Sequence, residues 1–407
     1  MRWSLPFAAS YLALLANGSP FSVNSAHSAH HLQNSTQHLI SRANERDITS
    51  LFLIEDGPGS CTGQIDTVNF WLEEARELHS TILRAFQEAP KDKALRVLWY
   101  CYFGLGFDDD TLELKADAKK LVGPIEDHLS RVTDFLDNGR LANPQKPDEK
   151  PRLFCSGEPF RQESWGSILR DHNGQEVIDE IDTETGYVKY MTLENFFLGQ
   201  KDQNRAVWWT DKFMGYDFTV RTHPDICPPR DKDGLLLART SIHNAAWENN
   251  DDINRPPVLG ESNRHIILCP SVFRDDRGGH DYPSLRQAVS PDNYPVVVLK
   301  GEDADINTSI DRLLTISSTL YHELYHLTDN TDTHDLGYSL IKIFEAVVGK
   351  KDGKPMPGQR ELNCHNPESY VYMAMSAYMY FNKPEGKARA LYRGSFAFPA
   401  SFYTGED

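Results

Sequence analysis

Two histidines four residues apart, His322 and His326, flank a glutamate in the run Tyr321-His322-Glu323-Leu324-Tyr325-His326. The apolar residues around them, Leu313, Leu314, Ile316, Leu320, Leu324 and Leu327, recur at helical spacing. On a helix, positions i and i+4 share a face with Cβ atoms about 5–6 Å apart, so two imidazoles placed there can grip one metal ion. Glu323 follows the first histidine and is placed to face the open side of such an ion, where it would take a proton from water. The same pattern also occurs by accident on ordinary helices. What separates the two cases is a third protein ligand that leaves a position free for water.

Four downstream residues offer that ligand: Asp332, His334, Asp335 and Glu345. Asp332 stands where metzincins place their last ligand, but that arrangement needs a glycine at position 329, which is aspartate here. Glu345 is within the reach used by thermolysin-like enzymes, without the motif that accompanies it there, and His334 has no supporting neighbours. Asp335 sits in Thr333-His334-Asp335-Leu336-Gly337-Tyr338. This stretch resembles the aspzincin family, the fungal deuterolysins and peptidyl-Lys metalloendopeptidases, whose His-Glu-x-x-His is followed by Gly-Thr-x-Asp-x-x-Tyr-Gly. Thr333, Asp335 and Tyr338 match, and Asp332 and Ser339 stand in place of the two glycines. Asn366-Pro367-Glu368-Ser369-Tyr370-Val371-Tyr372 looks like the family's Asn-Ala-Asp-Ser-Tyr-x-Tyr. Cys61, Tyr102-Phe103-Gly104 and Leu268-Cys269 look like further landmarks, so the resemblance covers roughly residues 47–157 and 264–381.

The resemblance implies a secreted zinc endopeptidase acting on protein or peptide. His322, His326 and Asp335 would hold one Zn²⁺ per chain, Glu323 would be the general base, and Tyr338 would support the transition state. Glu368 matches the acid that gives some members a preference for lysine after the scissile bond. The resemblance also pairs Cys61 with Cys155 and Cys227 with Cys269, which leaves Cys101 and Cys364 for a third bridge. The rival reading is a secreted zinc-binding protein without proteolysis, a metal scavenger or surface antigen. Retention of Glu323 favours catalysis.

The elements that must position these residues are helical at both ends of the chain. Apolar spacing predicts helices over residues 64–89, 93–103 and 112–136, the last disturbed at Gly123-Pro124. Further helices are expected over 309–328, 335–348 and 367–381. Between them short strands are expected at 186–191, 206–210, 218–221, 235–240, 266–269 and 296–299. The fold class expected from these elements is α+β, mainly helical with a small sheet and a long β-rich insertion, and the resemblance implies that the helical part is a zincin-like catalytic domain. The expected divisions are 1–20 signal peptide, 21–46 flexible leader, 47–157 N-terminal helical part, 158–263 insertion and 264–407 zinc-binding part.

The bulk composition agrees with a globular, exported chain. Of 407 residues, 40% are hydrophobic, enough for a substantial core. A net charge of −17 opposes binding to nucleic acid or to anionic membrane. The basic start and short apolar run of residues 1–16 read as a secretory signal. An even number of cysteines, six, suits an oxidising compartment, as do the glycosylation sequons at Asn34 and Asn307. The oligomeric state is not legible.

Overall fold

The computed structural model describes residues 46–108, 111–142, 150–219, 225–228, 236–241, 264–274, 282–297, 309–329, 333–337, 339–351, 354–355 and 359–404. The expected signal peptide, nearly all of the leader, Asn34, Asn307, Asp332 and Tyr338 lie outside the described residues.

Six longer helices carry the core: α1 Ile65–Glu88, α2 Lys93–Phe103, α3 Ala116–Asn138, α4 Ile316–Asp329, α5 Leu340–Val348 and α6 Pro367–Phe381. Helix α1 buries one stripe, including Val68, Trp71, Leu72, Ala75, Leu78 and Ile82, against α4 and α6. Asp92 starts α2 by accepting from the amides of Ala94 and Leu95, and Gly104 ends it in the left-handed conformation at φ 71°. Helix α3 continues through Pro124, contrary to the disturbance expected there. The carbonyl that this proline leaves without a donor belongs to exposed Lys120, so solvent can satisfy it. Helix α6 is buried along all but its last residue and packs on α1, α2 and α4.

The motif helix is shorter than its apolar pattern. Leu314 is extended and separates a single turn, Ile310–Leu313, from α4. Thr315 immediately precedes α4, and its carbonyl accepts from the amide and hydroxyl of Ser318. The expected helix at 335–348 likewise starts late, at Leu340. Ser339 caps it through Lys342 N, which leaves Asp335 in a loop.

Three strands form the sheet beside α4. Strand β8, His265–Leu268, is buried throughout and runs parallel to β1, Arg152–Phe154, on one side. On its other side lies antiparallel β7, Ala238–Thr240, with Thr240 opposite Ile266. Strand β7 lies within the stretch expected to be an insertion, yet it belongs to this sheet and contacts α4. Other described residues of that stretch form a three-stranded antiparallel sheet, β2 Phe160–Glu163, β5 Ala206–Thr210 and β6 Gly215–Thr219, and a hairpin, β3 Ile178–Ile181 with β4 Val188–Tyr190. Trp208 and Phe160 pack with Phe154 and Ile267, so the two sheets share apolar contacts. Val296 and Val297 form no strand; Val296 is exposed, and residues 298–299 lie outside the described residues. The molecule is a mixed helix-and-sheet fold with small sheets.

Cys61–Cys155 and Cys227–Cys269 are disulfides. The third bridge is corrected: Cys101 and Cys364 are free thiols. Cys101 lies near Arg393 and Tyr403, whereas the Cys364 thiol donates to the carbonyl of Arg360 on its own short helix, Gln359–Cys364. Burial pushes both up to about 12.

Candidate metal centre

Helix α4 carries its polar motif through the middle of the protein. Every residue of it except Thr319 is buried, including His322, Glu323 and His326. Apolar packing on all sides fixes the backbone from which these side chains project. Polar bonds add to it. Glu74 of α1 accepts from Ser317 Oγ at 2.7 Å, and Tyr321 Oη lies 3.1 Å from His79 Nδ1.

His322 Nε2 lies 3.2 Å and His326 Nε2 3.1 Å from the same oxygen, Asp335 Oδ1. A tetrahedral zinc site with bonds of about 2.0–2.1 Å has edges of about 3.3–3.4 Å. Two edges of such a tetrahedral face are therefore already near that length, and the three ligand atoms all lie within 4.8 Å of one another. Among the described residues, this is the His/Cys/Asp/Glu group able to hold a metal. Two neutral nitrogens and a carboxylate oxygen are a donor set that suits zinc, so the residues fit the ion.

The outward nitrogens are also held. His322 Nδ1 lies 2.9 Å from Glu368 Oε2, and His326 Nδ1 lies 3.0 Å from Thr333 Oγ1. An ionised carboxylate only accepts, so Nδ1 of His322 donates to Glu368, and a cation in the shared site would take the place of the proton on Nε2 and meet its lone pair. Burial works against charge on His322, but the hydrogen bonds and charges of Asp335 and Glu368 outweigh it and raise its pKa well above the ordinary value. For Asp335, burial is likewise outweighed by the two histidines, which hold the carboxylate far below its usual range. Two acids bracketing one imidazole make this a place that favours a cation.

The loop bearing Asp335 is fixed without the two glycines of the resembled pattern. Thr333 is fully buried, and the amide of His334 donates to the carbonyl of His365 at 2.9 Å. His365 Nδ1 lies 3.1 Å from His128 Nε2, while His128 Nδ1 and Arg131 both bind Asp329 at the end of α4. Helix α3 thus ties the end of the motif helix to the loop that follows it. Gly337 has φ 139°, and a Cβ there would come within 2.4 Å of the Lys342 side chain. That backbone shape belongs to glycine.

The other sequence candidates fall as follows. His334 is exposed and contributes its backbone, and Glu345 lies partly exposed on α5 outside the metal group. Glu368 does not stand free for a substrate lysine: it is 7% exposed and its carboxylate faces His322. Its place in the first turn of α6 follows from Pro367 at the first helical position. Glu323 has a partner that the sequence did not suggest. Thr240 Oγ1 donates to Glu323 Oε2 at 2.6 Å and lies 3.2 Å from the Glu323 carbonyl. Strand β7 is 83 residues upstream, and no local motif marks this threonine.

No family profile and no solved structure matches the chain. One curated relative is 36% identical over 140 residues, a protein of Penicillium expansum described as the non-secreted LysM effector LysM17. The match covers 33% of this chain and 18% of that protein, so the chain spans less than a fifth of the relative's length.

Proposed function

We propose that the protein is a zinc-dependent endopeptidase of the zincin type, resembling the aspzincins, with His322, His326 and Asp335 as the metal ligands. The observation that carries this is the convergence of His322 Nε2 and His326 Nε2 on Asp335 Oδ1, with Glu323 next along the helix. A bound zinc supplies a Lewis acid that makes water acidic near neutral pH and polarises a peptide carbonyl. Glu323 then takes the proton of the attacking water and returns it to the leaving amine. Glu368 and Thr333 keep the two imidazoles in the tautomer and orientation that binding requires. Tyr338 keeps its proposed role as a donor to the developing oxyanion. With Glu368 turned to His322, a lysine preference forms no part of the proposal. The two disulfides are consistent with an extracellular site of action.

Incubation with an unfolded test protein, followed by mass-spectrometric mapping of new termini, tests this. Cleavage is expected to vanish with chelator and return with zinc. Glu323→Gln is expected to lower kcat by about 10²–10⁴-fold, the usual share of a general base, with zinc content unchanged. A chain that binds zinc and cuts nothing would be the non-catalytic zinc-binding protein instead.

A further inference from the structure

We propose that Thr240 is a positioning residue for Glu323, contributed from a strand remote in sequence from the motif helix; this rests on the peptidase reading. Within the described residues, the Glu323 side chain has one hydrogen-bond donor, the Thr240 hydroxyl on Oε2, and Oε1 is left to accept a proton. A glutamate side chain has three rotatable bonds, and fixing one oxygen removes most of the freedom of the other.

The strand that carries Thr240 is itself held from both sides. Alternation turns Ala238 and Thr240 towards the buried side, while Arg239 points the other way. Arg239 Nη2 meets Asp217 Oδ2 of β6 at 2.8 Å, with both side chains largely buried. Pairing with β8 sets the register, and the bond from Ser241 N to His265 O at 2.9 Å continues it past Thr240. The ordinary fate of a buried threonine hydroxyl is a backbone carbonyl, and one is within reach here at 3.2 Å. The carboxylate is closer, and a charged acceptor makes the stronger bond. The stretch between β1 and β8 thus reaches into the catalytic machinery through one hydroxyl.

Kinetics, zinc content and crystal structures of T240V and T240S test the assignment. T240V keeps the shape and loses the hydroxyl; T240S keeps the hydroxyl. The expected result for T240V is one zinc per chain, KM within about twofold of wild type and kcat lower by about 10–100-fold, the scale of a misplaced catalytic group. T240S is expected to recover most of that loss. Added to E323Q, T240V should cost nothing further, because residues acting as one unit are not additive. Crystals of T240V should show the Glu323 carboxylate displaced from its wild-type position. Should T240V not fold, T240A compared with T240S carries the same test. Wild-type cleavage with an equally active T240V, or T240S as impaired as T240V, overturns the assignment while the peptidase reading stands. A wild-type chain that binds zinc and cuts nothing overturns both.

Discussion

A histidine binds metal well only when its proton sits on the other ring nitrogen, and here each outward nitrogen has an oxygen to meet. Glu368 does this for His322 and Thr333 for His326. Of the two, Glu368 brings a charge, so Glu368→Ala is expected to weaken zinc binding by about 10–100-fold. Competition against a chromophoric chelator measures this, and unchanged affinity would show that His322 needs no orienting partner. The free thiols give a second expectation at this scale. A thiol with a pKa near 12 is almost wholly protonated at pH 8, and the thiolate is the reactive form. Native protein should therefore resist alkylation at Cys101 and Cys364, and chain unfolded without reductant should take up label at those two residues. Rapid labelling of the native fold would contradict the burial described.

At the scale of elements, α4 is useful because α1, α3 and α6 hold it from several sides. His79 sits in that packing, 3.1 Å from Tyr321 Oη and 2.8 Å from Thr133 Oγ1, and burial pushes its pKa down to about 3. An unfolded histidine takes up its proton near pH 6.5, whereas this one resists until about 3. The neutral form thus contributes stability that is complete above pH 6.5 and is lost as pH falls through that window. The slope is about 1.4 kcal/mol per pH unit. His79→Gln should flatten this acid limb relative to wild type in urea melts between pH 6.5 and 4. Identical limbs would place the acid sensitivity elsewhere. Much at this scale was legible beforehand. Helices α2 and α6 and strand β5 occupy the residues that their apolar spacing indicates; Asp92 and Gly104 mark the ends of α2, and Pro367 marks the start of α6. Helices α4 and α5 begin later than expected, since Leu314 is extended before α4 and Ser339 caps α5, both inside runs that periodicity alone would join.

For the molecule as a whole, the legible part of the site was the local part. His322, Glu323 and His326 are brought together by helix geometry alone, and Asp335 lies close enough in sequence for a motif to mark it. The contributions of Thr240 and Glu368 depend on where a strand and a helix dock, which spacing does not encode. The leftover cysteines show the same limit: an even count suggests a third bridge, whereas docking sets Cys101 and Cys364 in different surroundings. The division at residue 158 has a similar history. Composition separates the β-rich stretch, while pairing returns its strand β7 to the sheet beside the motif helix.

The central claim is that one zinc ion is held by three residues from one helix and the loop after it. Anomalous diffraction at the zinc edge, from crystals of protein purified with zinc, tests this most directly. The account predicts one peak per chain, about 2.0–2.2 Å from His322 Nε2, His326 Nε2 and Asp335 Oδ1. Absence of zinc there at saturating concentration, or a peak bound by other residues, would contradict it.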